Sequence, residues 1–185
     1  MDERERPPEA PLTQTEYGLH PTGPGWYVMN ATEALWWETP GFARTSVLEP
    51  RDHMFEDVGV NIRVLDPGHP NCRYHAESNQ EDFLVLSGEC ILIIEGEERR
   101  LRQWDFVHCP PWTRHVFVGT GDEPCALLLI GVRNPDEELD YPVDDEAAVR
   151  HGAAAPHATT SPDEAYADLE PGGPTTYRAG DLPEA

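Results

Sequence analysis

Apolar and polar residues change places every one or two positions through the middle of the chain, in short runs broken at regular intervals by turn residues. Residues 61–65 alternate into Asp66-Pro67-Gly68, and 82–86 form a β-rich run that stops at Ser87-Gly88. Residues 90–95 lead through a Glu95-Gly96 hairpin turn into 97–102, whose charged side chains suit an exposed edge. Residues 105–109 end at Pro110-Pro111, 115–118 follow, Gly119 to Asp122 turn, and 125–132 close the series. Upstream, 25–29 and 43–48 read as flanking strands and 32–37 as one helical turn after Asn30. Trp26, Trp36 and Trp37 read as core or dimer-contact aromatics. No long helical period intervenes, so the pattern predicts an all-β sandwich or barrel.

The alternation stops at both ends. Residues 1–25 carry five prolines and predict an extended, mobile lead; 26–133 hold the β domain. Residues 134–185 contain seven Pro and four Gly and predict an acidic arm without a core of its own. Two short helices are expected in that arm. One runs over 144–151 and stops at Gly152; the other runs over 161–168, with Ser161 as cap and Pro162 in the first turn. Tyr141, Tyr166 and Tyr177 are the arm's aromatic residues and are expected to dock it. Thirteen Arg, no Lys and 35 acids give a net charge of −22, half of it on the arm, which disfavours nucleic acid and anionic membrane surfaces as partners. The longest apolar runs are far shorter than the ~20 residues of a membrane helix, and the charged start lacks a signal-peptide core. A cytoplasmic protein is expected. Cys72, Cys90, Cys109 and Cys125 form no CxxC pair and read as buried free thiols.

Metal-ligand atoms stand at informative spacings in His75, Glu77 and Glu81, and again in His115. On an extended chain His75 and Glu77 point the same way, and Glu81 rejoins that face after the Ser78-Asn79-Gln80 turn. Two imidazoles with one or two carboxylates suit Zn(II), Fe(II), Mn(II) or Ni(II). Read on spacing alone, the acids serve equally as solvated surface groups and the histidines as ordinary strand residues. Parity with these residues also brings Arg73, as a partner for a substrate carboxylate, and Phe83 and Phe117, as an apolar substrate wall, to the same face.

The stretch His75-Ala76-Glu77-Ser78-Asn79-Gln80-Glu81, with Gly88 six residues on and Gly68 before it, resembles the first motif of the cupin superfamily. Asp105 through Pro110 to His115 resembles the second. The resemblance covers about 26–133. It implies a single cupin-type double-stranded β-helix, a jelly-roll barrel, holding one divalent transition metal and assembled as a homodimer. It departs from the family pattern where Glu77 replaces a histidine, Trp104 and Trp112 replace glycines, and Gly119 replaces an asparagine. Four ligands, His75, Glu77, Glu81 and His115, would favour zinc; loss of one Glu from the set would favour Fe(II) and oxygen chemistry. Either Glu77 or Glu81 is a candidate general base. The resemblance implies a metal-dependent isomerase or dioxygenase acting on a small polar metabolite, or alternatively a non-catalytic metal-containing barrel that binds or senses a small molecule.

Overall fold

The computed structural model describes residues 6–183. In chain order the strands are β1 (Leu12–Thr15), β2 (Gly18–Pro21), β3 (Trp36–Glu38), β4 (Arg44–Ser46), β5 (Val58–Leu65), β6 (Ala76–Glu77), β7 (Glu81–Ser87), β8 (Glu89–Ile94), β9 (Glu97–Arg102), β10 (Phe106–Cys109), β11 (His115–Thr120), β12 (Cys125–Val132) and β13 (Leu139–Asp140). Helices α1 (Glu146–Arg150) and α2 (Pro162–Ala165) and strand β14 (Gly173–Thr175) complete the chain.

Seven strands form one sheet in the order β10-β7-β12-β5-β4-β3-β14, and three form a second in the order β11-β8-β9. Inward residues of both sheets, among them Leu65, Phe83, Val85, Leu127 and Leu129 from the large one and Cys90, Leu92 and Phe117 from the small, make one buried cluster. The double-sheet jelly roll is the expected fold class. The two sheets face each other without continuous hydrogen bonding around a closed cylinder. The charged strand β9 is the edge of the small sheet, with its first four residues exposed before Leu101 turns inward. The Glu95-Gly96 turn places both central residues at positive φ (49° and 80°), as a two-residue hairpin turn requires. Gly88 has φ +72°, and a Cβ there would lie 2.4 Å from the Pro124 carbonyl oxygen, so only glycine lets β7 turn directly into β8.

The terminal segments are more ordered than the pattern suggested. Residues 12–21 form the β1–β2 hairpin, tied to the body through Leu19 and Ala34 and through mutual backbone bonds between 8–10 and Trp26. Residues 25–29 make no strand, and turns at 31–33 replace the expected helical turn, because Thr32 caps back onto the Asn30 side chain and Trp36 is drawn into strand pairing with β4. Trp36 is fully buried, while Trp26 is exposed.

The C-terminal arm packs on part of each outer face of the sandwich. Helix α1, capped by Asp145, and the following Ala153 pack on Tyr74, Ile93, Val116 and Val118 outside the small sheet. Strand β14 extends the large sheet beside β3, and Tyr177 and Leu182 close over Trp36, Val64 and Ala126. Tyr141 is buried, and Tyr166 packs with it and with Ala155 and Ala165. Helix α2 begins at Pro162 after Ser161, as expected, but spans only four residues. All four cysteines are free and buried. Among the described residues no helix is long and apolar enough to cross a membrane.

Candidate metal centre

Three of the four expected ligands meet at one end of the sandwich. His115 opens β11, Glu81 opens β7, and His75, just before β6, is bridged antiparallel to His115 through their backbones. The bridge lays the 70–77 segment along the free edge of the small sheet and sets the two imidazoles 5.0 Å apart, centroid to centroid. One ligand atom each from His75, Glu81 and His115 lie within 4.8 Å of one another. Glu81 Oε2 is 3.0 Å from His115 Nε2 and 4.0 Å from His75 Nε2. Glu77 stays outside this group, although its Oε2 is 4.0 Å from His75 Nε2.

Both imidazoles are aimed by their backbones. His75 Nδ1 lies 2.9 Å from the Arg73 carbonyl and His115 Nδ1 2.9 Å from the Thr113 carbonyl, so each Nδ1–H donates to main chain and each Nε2 lone pair faces the centre. With that tautomer Glu81 Oε2 and His115 Nε2 are two acceptors facing each other, both buried and both without a hydrogen-bond partner. Buried polar atoms are seldom left so. A divalent cation satisfies both at once, and two imidazoles with one carboxylate are donors that such an ion accepts; the residues fit a metal.

A proton competes for the same gap. Burial lowers the His115 pKa, but the Cys109 and Glu81 side chains outweigh it and raise the pKa to about 10. Burial, helped by the neighbouring His115 charge, pushes His75 down to about 4. Burial works to raise Glu81, yet a His115 that carries this proton would donate to it across the 3.0 Å gap and add its charge, which holds Glu81 below the usual carboxylate range. Glu77 is pushed up to about 8 by burial and by the charges of Glu81 and Glu137. One carboxylate is thus held ready to ligate and its neighbour is inclined to carry a proton.

The remaining candidates lie elsewhere. Arg73 does not face the centre: its guanidinium donates to the carbonyls of Gly152 and Ala154, pairs with Asp168 at 2.6 Å and stands over the Phe42 ring, so it fastens the arm. Phe83 and Phe117 are wholly buried, with ring centroids 4.6 Å apart, and Phe83 meets His115 edge-on at 5.2 Å. They form the core-side floor beneath the ligands, not an open substrate wall. The pattern reading missed two residues. Asn61 and Arg63 share the Leu65 side of β5, opposite Leu129 and Leu127, so they face the space between the sheets. Asn61 Oδ1 and Arg63 Nε are both buried without a partner among the described residues. Polar residues alternating with Val60, Ile62 and Val64 read as a solvent face; the detectable signal was that the same face continues into core Leu65.

The Cupin domain family profile matches residues 61–131. Among solved structures, a protein assigned as a sugar phosphate isomerase from Acidithiobacillus ferrooxidans is 30% identical, with TM-score 0.45, over 46% of this chain and 56% of its own. A sugar phosphate isomerase from Silicibacter pomeroyi is 27% identical, with TM-score 0.49, over 55% of this chain and 66% of its own. A polyketide cyclase from Streptomyces resistomycificus is 15% identical, with TM-score 0.54, over 65% and 89%. The chain therefore spans less than two thirds of the two isomerase chains, and the cyclase shares the fold alone. No curated protein sequence matches. The matched segment holds every residue of the His75–Glu81–His115 group, the two-sheet core around it has the fold of the cyclase, and residues 61–131 are those that match the cupin domain.

Proposed function

We propose that the protein is a metal-dependent enzyme acting on a small polar metabolite, with one divalent transition metal on His75, Glu81 and His115 and with Glu77 as the proton-moving group. The pair of buried, unpartnered acceptors, Glu81 Oε2 and His115 Nε2, carries this reading. When bound, the ion supplies Lewis-acid polarisation of a substrate carbonyl or hydroxyl. The chain's own residues do the rest. The Arg73 and Thr113 carbonyls hold the imidazoles in the ligating tautomer, and Phe83 and Phe117 close the core side to water. Glu77 sits beside the ligands without joining them, within reach of a substrate that takes an open position, and is placed to accept a proton and return it. This arrangement suits isomerisation by proton transfer.

A second reading has its own support. Two histidines and one carboxylate with open positions is also the donor set of non-haem Fe(II) oxygenases, so the four-ligand zinc site expected from the sequence gives way to a three-ligand site open to Zn(II) or Fe(II). The experiment is Glu77→Gln, with metal content and turnover measured together. Retained metal with turnover reduced by about 10²–10⁴ supports Glu77 as base; lost metal shows that Glu77 ligates and sinks the assignment. Oxygen uptake by the Fe(II) form would move the reading to the dioxygenase branch. We further propose a homodimer, which would bury the exposed Phe106, Ile130 and Val132 on the outer face of the large sheet.

A further inference from the structure

The interior contains a cation that the metal chemistry does not use. Arg63 enters the space between the sheets from β5, paired across to Leu127 and Thr45. Its Nη1 donates to the Asn71 carbonyl at 3.1 Å; Nε is buried and has no partner among the described residues. Of the other described arginines, seven have an acidic partner within ion-pair distance and Arg6, Arg51, Arg100 and Arg102 are exposed to solvent; Arg63 has neither an acidic partner among the described residues nor an exposed position. A partly buried guanidinium with a buried, unpartnered N–H is costly, and an anion is what completes it.

Space for that anion is present. Arg63 lines a cavity of about 410 Å³ together with Phe42, Thr45, Cys72 and Tyr166, and Arg51, stacked 4.7 Å over Trp37, stands at its mouth. On its inner side Cys72 Sγ is 3.7 Å from His75 Nδ1, so the cavity adjoins the metal centre. A larger cavity of about 570 Å³ lies on the opposite flank, beyond Trp112, but Glu137, Glu138 and Asp140 line it and repel an anion. With a divalent ion on the three donors, Glu81 cancels one charge and Arg63 restores it, which leaves the interior positive.

We propose that the Arg63 cavity binds the carboxylate of a small organic acid, paired in two-point fashion on the Nε–Nη2 edge, with the remainder of the molecule directed to His75, Glu81 and His115. The proposal deepens, and rests on, the enzymatic reading above. The planar guanidinium edge offers two parallel N–H groups that match the two coplanar oxygens of a carboxylate, and Phe42, Ala43 and Val47 give the cavity an apolar side for the rest of a small acid.

Calorimetric titration with propionate, and separately with inorganic phosphate, tests this on the wild type, Arg63→Gln and Arg63→Lys, each after metal analysis and a thermal melt. Propionate should bind the wild type, bind Arg63→Gln at least tenfold more weakly, and bind Arg63→Lys at an intermediate level, with metal content unchanged in all three. If Arg63→Gln does not fold, Arg63→Lys decides, because it keeps the charge and loses the two-point pair. Propionate binding that is absent in the wild type, or undiminished in a folded variant, overturns the proposal while leaving the metal centre standing. Phosphate that binds tighter than propionate, and only with Arg63 present, overturns the choice of carboxylate. Propionate held by Arg63 in protein that takes up no metal supports the anion site and removes the enzymatic reading.

Discussion

Two tryptophans stand where the superfamily pattern has glycine, and their backbones keep the glycine conformation. Trp104 has φ 75° and Trp112 φ 68°, each at the third position of a tight turn closed by a backbone bond, from Asp105 to the Arg102 carbonyl and from Thr113 to the Pro110 carbonyl. A left-handed backbone costs a side chain with a Cβ about 1–2 kcal/mol. Trp104 is two-thirds exposed, so little packing offsets that cost. Trp104→Gly should stabilise the protein by about 0.5–1 kcal/mol after the extra unfolded-state entropy of glycine is subtracted, a rise of roughly 1–4 °C in the calorimetric melting temperature. A lower melting temperature would show that the indole packs against something that solvent exposure conceals. Trp112 differs, because its N–H donates to the Glu77 carbonyl at 2.7 Å and its turn aims His115. At this scale His75 and Glu81 were legible from spacing, since ligand types six residues apart need only an extended chain and one turn to converge, and His115 was legible only through the second motif. Arg73 was misread because parity gives a side chain's face and not what the neighbouring arm offers it.

At the scale of elements, β3, β4 and the chain's last turn are joined by charge. Arg44, almost wholly buried, pairs with Asp66 at 2.6 Å and with Asp181 at 2.6 Å, so one guanidinium ties β4 to the turn after β5 and to the far end of the arm. Asp181→Asn leaves a buried cation half-paired and should cost about 2–3 kcal/mol in denaturant unfolding, and an unchanged midpoint would show that Asp66 alone suffices. The pH dependence has a definite sign. The Arg44 hydrogen bond, partly opposed by burial, holds the Asp66 pKa below its ordinary 3.8. The folded value is below the unfolded one, so this stabilisation is complete above about pH 4 and is lost as pH falls through the folded value. Strand positions from β5 through β12 followed the alternation closely, and β9 and β12 coincide with it residue for residue. What alternation concealed was direction. In β5 the apolar residues Val60, Ile62 and Val64 lie on the outer side, and Asn61 and Arg63 point between the sheets, because both faces of that strand are covered. A two-state pattern of polar and apolar cannot distinguish a solvated face from a polar interior.

The whole molecule is held together by its least core-like segment. The sandwich leaves apolar residues on both outer faces, and the arm after residue 134 covers Ile93, Val116 and Val118 on one and Trp36, Val64 and Ala126 on the other, while Phe106, Ile130 and Val132 stay exposed. Nothing in the arm's Pro, Gly and acidic composition announces that role; only its tyrosines did, and Tyr141 does more than dock, since its ring stacks on His75 at 5.7 Å. Removal of residues 136–185 should expose Ile93, Val116, Trp36 and Val64 surroundings together, lower the melting temperature by more than 10 °C and bring aggregation, as read by light scattering during a melt. A truncated protein that melts as the full chain does would show the arm to be a passenger.

The coverage of both faces by one late segment also sets an order of events during synthesis. The sheets and all three metal donors leave the ribosome before the residues that seal them, so the nascent chain carries two uncovered greasy surfaces and an open donor set until roughly fifty further residues have been added. In that interval the newborn protein depends on its surroundings for protection of those surfaces.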